Sequence, residues 1–273
     1  MTAERARGHT SHQGDSVQLI VSQRYSDDAR LLSEAARLQG WRVHRAQGST
    51  LPADVLQLPS RVYAEGFLVE HFAAQAGLKL LRPADDALAT LEPAFLSREV
   101  LFCTVQDFQA PWDARFIKPA DQKLFPAAVY PPGAAIPGWE TLDPSDPLLI
   151  SMPVTLVREY RFFVLDAQVQ TGSLYWDGGQ VPKVPSGYEG ADDPFWEAAW
   201  SFAQQVCSCT AGLGPSYVID VGQLRGGAWA VIEFNPTWAS GLYGSSPDQV
   251  LSCLTASQRP EAETGRAGSE ALA

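Results

Sequence analysis

The sequence predicts a chain of mixed α/β and α+β class, with a parallel α/β unit first and an α+β region after it. The α/β prediction rests on a strand, helix, strand order near the start. The α+β prediction rests on a change after Arg98, where short strands alternate with proline-rich loops. A glycine-turn hairpin late in the chain, at residues 216–235, is the third observation, because it places acidic side chains opposite each other.

The opening unit consists of three segments in order. Residues 17–22 (VQLIVS) predict a buried strand, residues 27–40 (DDARLLSEAARLQG) a helix that Gly40 can end, and residues 41–46 (WRVHRA) a second strand. The turn after the first strand, SQRYSDD, lacks the glycines of a dinucleotide-binding fingerprint. A Rossmann dinucleotide site is therefore not predicted.

The remainder of the first domain predicts a helix at 65–76, a strand at 78–81 and a short helix at 85–91 before Pro93. We place the domain over residues 17–95. The polar flanking segments predict a disordered leader at 1–16 and a disordered tail at 257–273.

Residues 114–125 (ARFIKPADQKLF) predict a strand that Pro119 stops, with Lys118 inside it and Lys123 after a short turn. A lysine in an apolar strand either extends its ammonium group to solvent or needs an anionic partner, since burying it unpaired is costly. Strand 157–166 places Glu159 and Arg161 on one face. Such a pair is most often a surface ion pair, unless that face lines the cleft that holds the hairpin acids. Residues 194–210 predict a helix with an aromatic core face.

The hairpin prediction fixes a register. A two-residue turn at 226–227 pairs Leu224 with Trp229 and, further out, Asp220 with Glu233. Carboxylates that face each other across a ladder repel, so we expect a cation between them. By the same reasoning, neutralising either acid should relieve repulsion and leave the fold intact.

Asn235 lies two residues beyond Glu233 and therefore projects on the same face. Three oxygen donors, two of them charged, suit Mg²⁺ or Mn²⁺. The alternative is a hairpin with an exposed acidic edge.

Composition excludes several function classes. The formal net charge of −11 argues against general binding to nucleic acid or to an anionic membrane. No apolar run approaches the roughly 20 residues of a membrane span, and the start lacks a signal region, so we expect a cytoplasmic protein. The four cysteines show no CxxC spacing, so we expect them to be buried, reduced thiols. The sequence leaves the oligomeric state open, and dimers are the commonest outcome for soluble enzymes.

The order FIKPADQKLF, REYRFFVLD and DVGQLRGGAWAVIEFNP resembles the ATP-grasp superfamily, in particular its small clade marked by one arginine and two lysines. The resemblance covers residues 98–244, and the α/β unit before it is similar to the domain that precedes the ATP-grasp fold in such proteins. It implies an ATP-grasp domain at 96–256, built from subdomains 96–150 and 151–256 with ATP between them.

The resemblance also implies roles for individual residues. Lys118 would contact the α- and β-phosphates, Lys123 a phosphate or the substrate, and Arg161 the polyphosphate or an acyl-phosphate. Glu159 would hold the ribose hydroxyls, and the segment 151–154 would recognise adenine. The remaining implied contacts are apolar or backbone contacts to adenine by Ser151, Met152 and Val154, Mg²⁺ ligation by Asp220, Glu233 and Asn235, and substrate contact by Arg98, Thr237 and Ser240.

The implied activity is an ATP- and Mg²⁺-dependent ligase that phosphorylates a small carboxylic acid and passes the acyl group to an amine, such as an amino acid or peptide. Phosphoryl transfer depends on positioned cations more than on covalent help, which agrees with these lysines, the arginine and the metal acids. Two alternatives stay open: a kinase for a small molecule on the same fold, and a nucleotide-binding protein without turnover.

Overall fold

A computed structural model describes residues 17–121, 123–190, 192–210 and 212–261. The helices are α1 (Asp27–Leu38), α2 (Phe67–Gln75), α3 (Pro93–Leu96), α4 (Trp196–Cys209) and α5 (Pro247–Ala256). The strands are β1 (Gln18–Val21), β2 (Arg42–Arg45), β3 (Ser60–Tyr63), β4 (Leu78–Leu80), β5 (Val100–Thr104), β6 (Arg115–Pro119), β7 (Ala128–Tyr130), β8 (Pro147–Ser151), β9 (Leu156–Leu165), β10 (Gln168–Asp177), β11 (Ser216–Leu224), β12 (Trp229–Asn235) and β13 (Gln258–Pro260).

The N-terminal sheet is parallel, in the order β2-β1-β3. Its central strand is fully buried, as the apolar run predicted, and α1 connects it to β2. Ser26 begins α1 because its hydroxyl accepts a hydrogen bond from the Ala29 amide at 3.1 Å. The predicted strand, helix, strand unit is confirmed.

Two antiparallel sheets follow, in the orders β5-β8-β6-β7 and β10-β9-β11-β12. Alternation along β9 and β11 sends Phe162 and Ile219 into the core beneath α4, while Phe163 and Val218 enter the core of the N-terminal sheet. The face of the β10-β9-β11-β12 sheet that carries Phe163 therefore packs against the N-terminal core at Phe163. The two residues that come next before Phe163 on the same face of β9 are polar.

The end of the described chain returns to the first domain. Apolar side chains of α5 share a core with β1 and α1. Gln258 on β13 donates to the Val62 carbonyl at 2.7 Å and accepts from the Val62 amide at 2.8 Å, which completes the edge of the parallel sheet. The prediction of a disordered tail is therefore wrong for residues 257–261, and residues 262–273, like the predicted leader, lie outside the described residues.

The predicted helix at 85–91 is also wrong. The segment forms consecutive turns, and the helix α3 begins at Pro93 instead. A segment this short gains too few hydrogen bonds to offset helix nucleation when Leu88 and Leu91 can be buried by turns alone.

The hairpin has the predicted pairing of Asp220 with Glu233, but the register of its strands near the turn differs from the prediction. Its loop includes Arg225–Gly227, with Gly227 at φ +89°, and Trp229 pairs with Gln223 rather than Leu224. A bulge between Val231 and Glu233 on β12 shifts the register back by one residue. Asp220 therefore does lie opposite Glu233.

In the described ranges, no helix has the length and apolar character needed to cross a bilayer. All four cysteines are free thiols, and Cys207 and Cys253 are buried as predicted. The prediction of burial is wrong for Cys209, which is exposed at the end of α4, and for Cys103, which is only partly buried.

Candidate functional site

A row of charged side chains crosses the second antiparallel sheet. Asp220 on β11 pairs directly with Arg161 on β9 and with Glu233 on β12. Lys118, from β6 of the other sheet, reaches across to Glu233. We call these four residues the charged row; it joins the two sheets at their polar faces.

The charged row neutralises itself. Arg161 donates from Nε and Nη2 to the two carboxylate oxygens of Asp220 at 2.9 and 2.7 Å, and the Asp220 side chain is completely buried. Lys118 Nζ lies 2.6 Å from Glu233 Oε2. Each carboxylate thus has its own side-chain cation, whereas the sequence predicted one cation between the two.

Asn235 links the two acids. Its Nδ2 donates to Asp220 Oδ2 at 3.1 Å and to Glu233 Oε1 at 2.9 Å, so three oxygen-bearing side chains meet at one point, as the alternation predicted. Within the described residues, no group of three or more His, Cys, Asp and Glu side chains is placed to hold a metal ion. A cation at this point would therefore be held by two carboxylates and an amide, with ligand oxygens completing its shell.

The two carboxylates have different protonation behaviour. Burial raises the pKa of Asp220 to about 6, although the Arg161 charge and its hydrogen bonds oppose that effect. Burial also acts to raise the pKa of Glu233, but the ammonium group of Lys118 and the bonds from Lys118 and Asn235 outweigh it and lower the pKa to about 2. Both groups are ionised at neutral pH, Glu233 by the wider margin.

Glu159 and Arg161 share the polar face of β9, as predicted. Tyr175 on β10 donates a hydrogen bond to Glu159. Burial raises the pKa of Glu159, and the nearby Glu233 charge adds to this rise, whereas the Tyr175 bond opposes it. Arg161 packs against two rings that also contact each other, with its guanidinium carbon 5.3 Å from the Tyr175 ring centre and 5.2 Å from that of Tyr243.

An apolar cavity of about 210 Å³ opens beside Lys118 and Glu233, between the two sheets. Ser151, Met152 and Val154 line it, as expected for the segment between β8 and β9. Its remaining walls are mostly aliphatic and aromatic, and they include Leu88, Val100, Phe116, Leu149, Leu156 and Ile232. The Met152 amide already donates to the Glu99 carbonyl at 3.2 Å, so a ring bound here would need another backbone group of the segment.

Arg98 also lines this cavity, but its guanidinium is used within the protein. It donates to the Leu96 and Val231 carbonyls at 3.0 and 2.8 Å, and to that of Ile232 at 3.4 Å. Burial lowers its pKa. Arg98 thus fixes the bulged strand that carries Glu233, rather than presenting a free charge to a substrate.

Thr237 and Ser240 are buried. The Thr237 hydroxyl lies 2.9 Å from that of Ser216, and Ser240 donates to the Pro236 carbonyl at 2.9 Å. Because both hydroxyl groups are enclosed by the protein, we do not retain these two residues as substrate contacts.

Lys123 lies in a separate cavity of about 250 Å³, whose other walls include Asn235, Trp238 and Ala239. Arg82 lies in the same wall and bonds to both Asp85 and Asp121. The two lysines of the FIKPADQKLF motif therefore line different cavities. Glu233 lines the cavity of Lys118, and Asn235, at the end of the same strand, lines the cavity of Lys123.

Several site residues had no prediction from sequence. Tyr175 is the extra residue of a bulge on β10 between Leu174 and Trp176, and a count of alternation from the 166–167 turn would place Leu174 opposite Glu159 instead. Ile232 enters the cavity wall only because of the bulge, and Tyr243 comes from a loop with φ +56°. No sequence signal marks these last two residues.

Comparison with known proteins supports the architecture. The chain is similar in structure to D-cycloserine synthetase DcsG, with a TM-score of 0.53 and 14% identity over 88% of this chain and 98% of that one. It is also similar to N5-carboxyaminoimidazole synthetase from Staphylococcus aureus complexed with ADP, with a TM-score of 0.50 and 11% identity over 90% and 78%. ATP-grasp ligase PsnB, complexed with precursor peptide PsnA2 and AMPPNP, matches with a TM-score of 0.43 and 14% identity over 89% and 97%. Among curated protein sequences, no match was found.

The parallel N-terminal sheet and the two antiparallel α+β units therefore form an ATP-grasp fold, as the motif order predicted. A family model matches residues 95–253, which is more than half of the chain; it describes an ATP-grasp domain, family 2 of the clade named for one arginine and two lysines. The charged row lies inside that match, as do most of the residues that line the two lysine cavities, and the cavity residues between Arg82 and Leu88 precede it. The chain belongs to this second family of the arginine and two-lysine clade of ATP-grasp domains.

Proposed function

We propose that this protein is an ATP- and Mg²⁺-dependent carboxylate–amine ligase, which forms an acyl-phosphate from a small carboxylic acid and transfers the acyl group to an amine. The observation that carries the proposal is the apolar cavity that ends at Lys118 and Glu233. A purine ring fits an apolar pocket of this kind, and its phosphates would extend toward the charged row. The ATP-binding ligases with the same fold support the nucleotide assignment.

In this proposal Lys118 leaves Glu233 and contacts the phosphates. That exchange replaces one ion pair with another and frees Glu233, the more accessible acid, whose side chain is 30% exposed. Lys123 would hold the terminal phosphate or the acid from its own cavity, and Glu159 the ribose. Arg161, held by Asp220 and packed against the adjoining rings of Tyr175 and Tyr243, is pre-oriented to face the charge that develops on the transferring group.

The residue types fit a hard divalent cation, because two carboxylates and one amide converge, and Asn235 would turn its Oδ1 toward the ion in place of the Nδ2 that now bonds both acids. Glu233 and Asn235 would hold Mg²⁺, and Asp220 would join them if Arg161 released one of its hydrogen bonds. When bound, the metal would neutralise phosphate charge and help orient the phosphates.

The test combines a panel of small carboxylic acids with ATP, Mg²⁺ and hydroxylamine, a nucleophile that traps acyl-phosphates as hydroxamates. We expect ADP and hydroxamate in equal amounts with at least one acid, and loss of both with Lys118→Ala. ADP formation with an alcohol alone, without hydroxamate, would support a kinase instead. Nucleotide binding by calorimetry without turnover on any acid or alcohol would support a non-catalytic binding protein.

A further inference from the structure

A third cavity, which we call the switch-point cavity, lies at the carboxyl ends of β1 and β3. In the order β2-β1-β3, the chain leaves β1 toward one side of the sheet and reaches β3 on the other side, so the loops after these two strands diverge. Open parallel sheets bind ligands at such a topological switch point. The cavity there has a volume of about 400 Å³, enough for a small molecule.

The walls of this cavity carry charges of both signs. Asp28 and Glu65 supply two carboxylates and Arg24 supplies a guanidinium group, with hydroxyl groups of serine and tyrosine between them. Within the described chain, the hydrogen bonds to the Asp28 carboxylate both end on Oδ2, from the Leu242 amide at 3.1 Å and the Tyr63 hydroxyl at 3.4 Å. The other oxygen, Oδ1, accepts no hydrogen bond from the described residues.

Hydrogen bonds hold the rim of the cavity in shape. The Ser22 hydroxyl donates to Glu65 Oε2 at 2.5 Å, which ties the loop after β1 to the loop after β3. Arg45 donates to the Ser22 carbonyl at 3.1 Å. A binding site whose polar groups are already positioned loses less entropy when it binds a ligand.

The cavity adjoins the proposed reaction site. Trp238 and Ala239 form its far wall, and the same two residues line the cavity of Lys123 and Asn235. A backbone segment of two residues thus separates a charged cavity in the first domain from the lysine cavity in the second.

We propose that the switch-point cavity binds the amine substrate as an amino-acid zwitterion, with its ammonium group against Asp28 and Glu65 and its carboxylate toward Arg24. This inference rests on the proposed ligase function and adds the substrate class and its site. Two acids and one base in the lining match a ligand that presents its ammonium group to the acids, and the shared wall of Trp238 and Ala239 places this ligand next to the lysine cavity.

The electrostatics of Asp28 agree with this assignment. Burial raises the pKa of Asp28, and the Asp27 charge adds to the rise, while the bonds from Leu242 and Tyr63 and the Arg161 charge oppose it. A half-buried carboxylate with a raised pKa gains stability from a cationic partner.

The test uses the full chain with saturating Mg²⁺ and AMPPNP, and measures the Tm shift and calorimetric Kd for each of the twenty standard L-amino acids separately. We expect at least one to bind, and we expect Asp28→Asn to weaken that affinity at least tenfold while changing the AMPPNP affinity less than twofold. Asp27→Asn is the matched control, because the neighbouring Asp27 side chain is 79% exposed and does not line the cavity.

N-acetylation of the bound amino acid should abolish binding, and removal of its carboxylate should weaken binding about tenfold. If Asp28→Asn does not fold, Glu65→Gln serves as the second variant, with the same expected direction. Binding of AMPPNP without binding of any amino acid, or equal affinity in Asp28→Asn and wild type, would overturn this inference and leave the ligase proposal standing. Asp28-dependent amino-acid binding without AMPPNP binding would support the site and reject the ligase.

Discussion

The carboxylates of the charged row and those of the switch-point cavity have different kinds of partner. In the charged row every carboxylate already has a cationic partner within 2.9 Å, so the site neutralises itself. In the cavity Asp28 and Glu65 accept bonds from neutral donors, and within the described residues Oδ1 of Asp28 accepts none. A self-paired site contributes to the fold and must exchange partners when it binds ligands, whereas an open site is available for recognition. Substitutions should therefore cost stability in the first region and affinity in the second.

The largest effect is expected at Asp220. Asp220→Ala would leave the buried guanidinium of Arg161 without its partner, and removing one member of a buried pair costs about 3–5 kcal/mol in the free energy of unfolding. Urea unfolding monitored by circular dichroism measures this loss. The sequence alone suggested the contrary, that neutralising an acid would relieve repulsion, because it does not show that Arg161 faces Asp220.

A double variant sharpens this prediction. Arg161→Met with Asp220→Leu replaces the pair with apolar groups and should recover most of the lost stability, although nucleotide-dependent activity should stay absent. If Asp220→Ala lost less than about 1 kcal/mol, the charged row would not stabilise the fold as the comparison requires.

The second effect is an opposite change in two affinities at Lys118. Lys118→Met should weaken ATP binding at least tenfold, because it removes a phosphate contact. The same change should strengthen Mn²⁺ binding without nucleotide several-fold, because it frees Glu233 from its ammonium partner. Calorimetry measures the ATP affinity, and electron paramagnetic resonance measures free Mn²⁺.

Lys123→Met is the matched control for Lys118. It lies in the other lysine cavity, so it should weaken ATP binding less and leave Mn²⁺ binding unchanged. If Lys118→Met weakened both affinities together, Lys118 would not compete with a metal at Glu233.

The sequence predicted that Asp220, Glu233 and Asn235 lie together, but it predicted neither their cationic partners nor the switch-point cavity, for a physical reason. Asp220, Glu233 and Asn235 lie on strands joined by a short loop, so turn position and alternation determine which side chains meet. The turn that we predicted is one residue out of register with the observed one. Asp220 still pairs with Glu233 because the bulge in β12 shifts the register back by one residue.

The switch-point cavity draws its walls from the loop after β1, the loop after β3 and residues 238–239. No local pattern relates segments so far apart in the chain, since their contact depends on how α5 and its preceding loop pack against the parallel sheet. The Arg161 to Asp220 pair was missed for the same reason: β9 and β11 are neighbours in the sheet, but α4 separates them in the chain.

A smaller effect is expected at Gly222, which lies beneath the apolar cavity. A Cβ atom there would lie 2.6 Å from Leu156 Cδ2 and 3.1 Å from Ile232 Cδ1, so both side chains would move into the cavity. Gly222→Ala should weaken ATP binding several-fold at a stability cost of about 1 kcal/mol. Gly226→Ala is the control, because nothing lies within 4 Å of its added Cβ. Equal nucleotide affinity in both variants would mean that the ring does not bind in this cavity.

The smallest effect on stability should come from the rim of the switch-point cavity. Glu65 is exposed and accepts a hydrogen bond from Ser22, so Glu65→Ala should cost less than about 1 kcal/mol in the free energy of unfolding, against several for Asp220→Ala. Ser22→Ala removes the other half of the same bond and should cost a similar amount. Urea titration of the three variants in parallel measures the difference. A loss above about 2 kcal/mol for Glu65→Ala would make the cavity rim part of the structural core, and the distinction between a self-paired site and an open recognition site would fail.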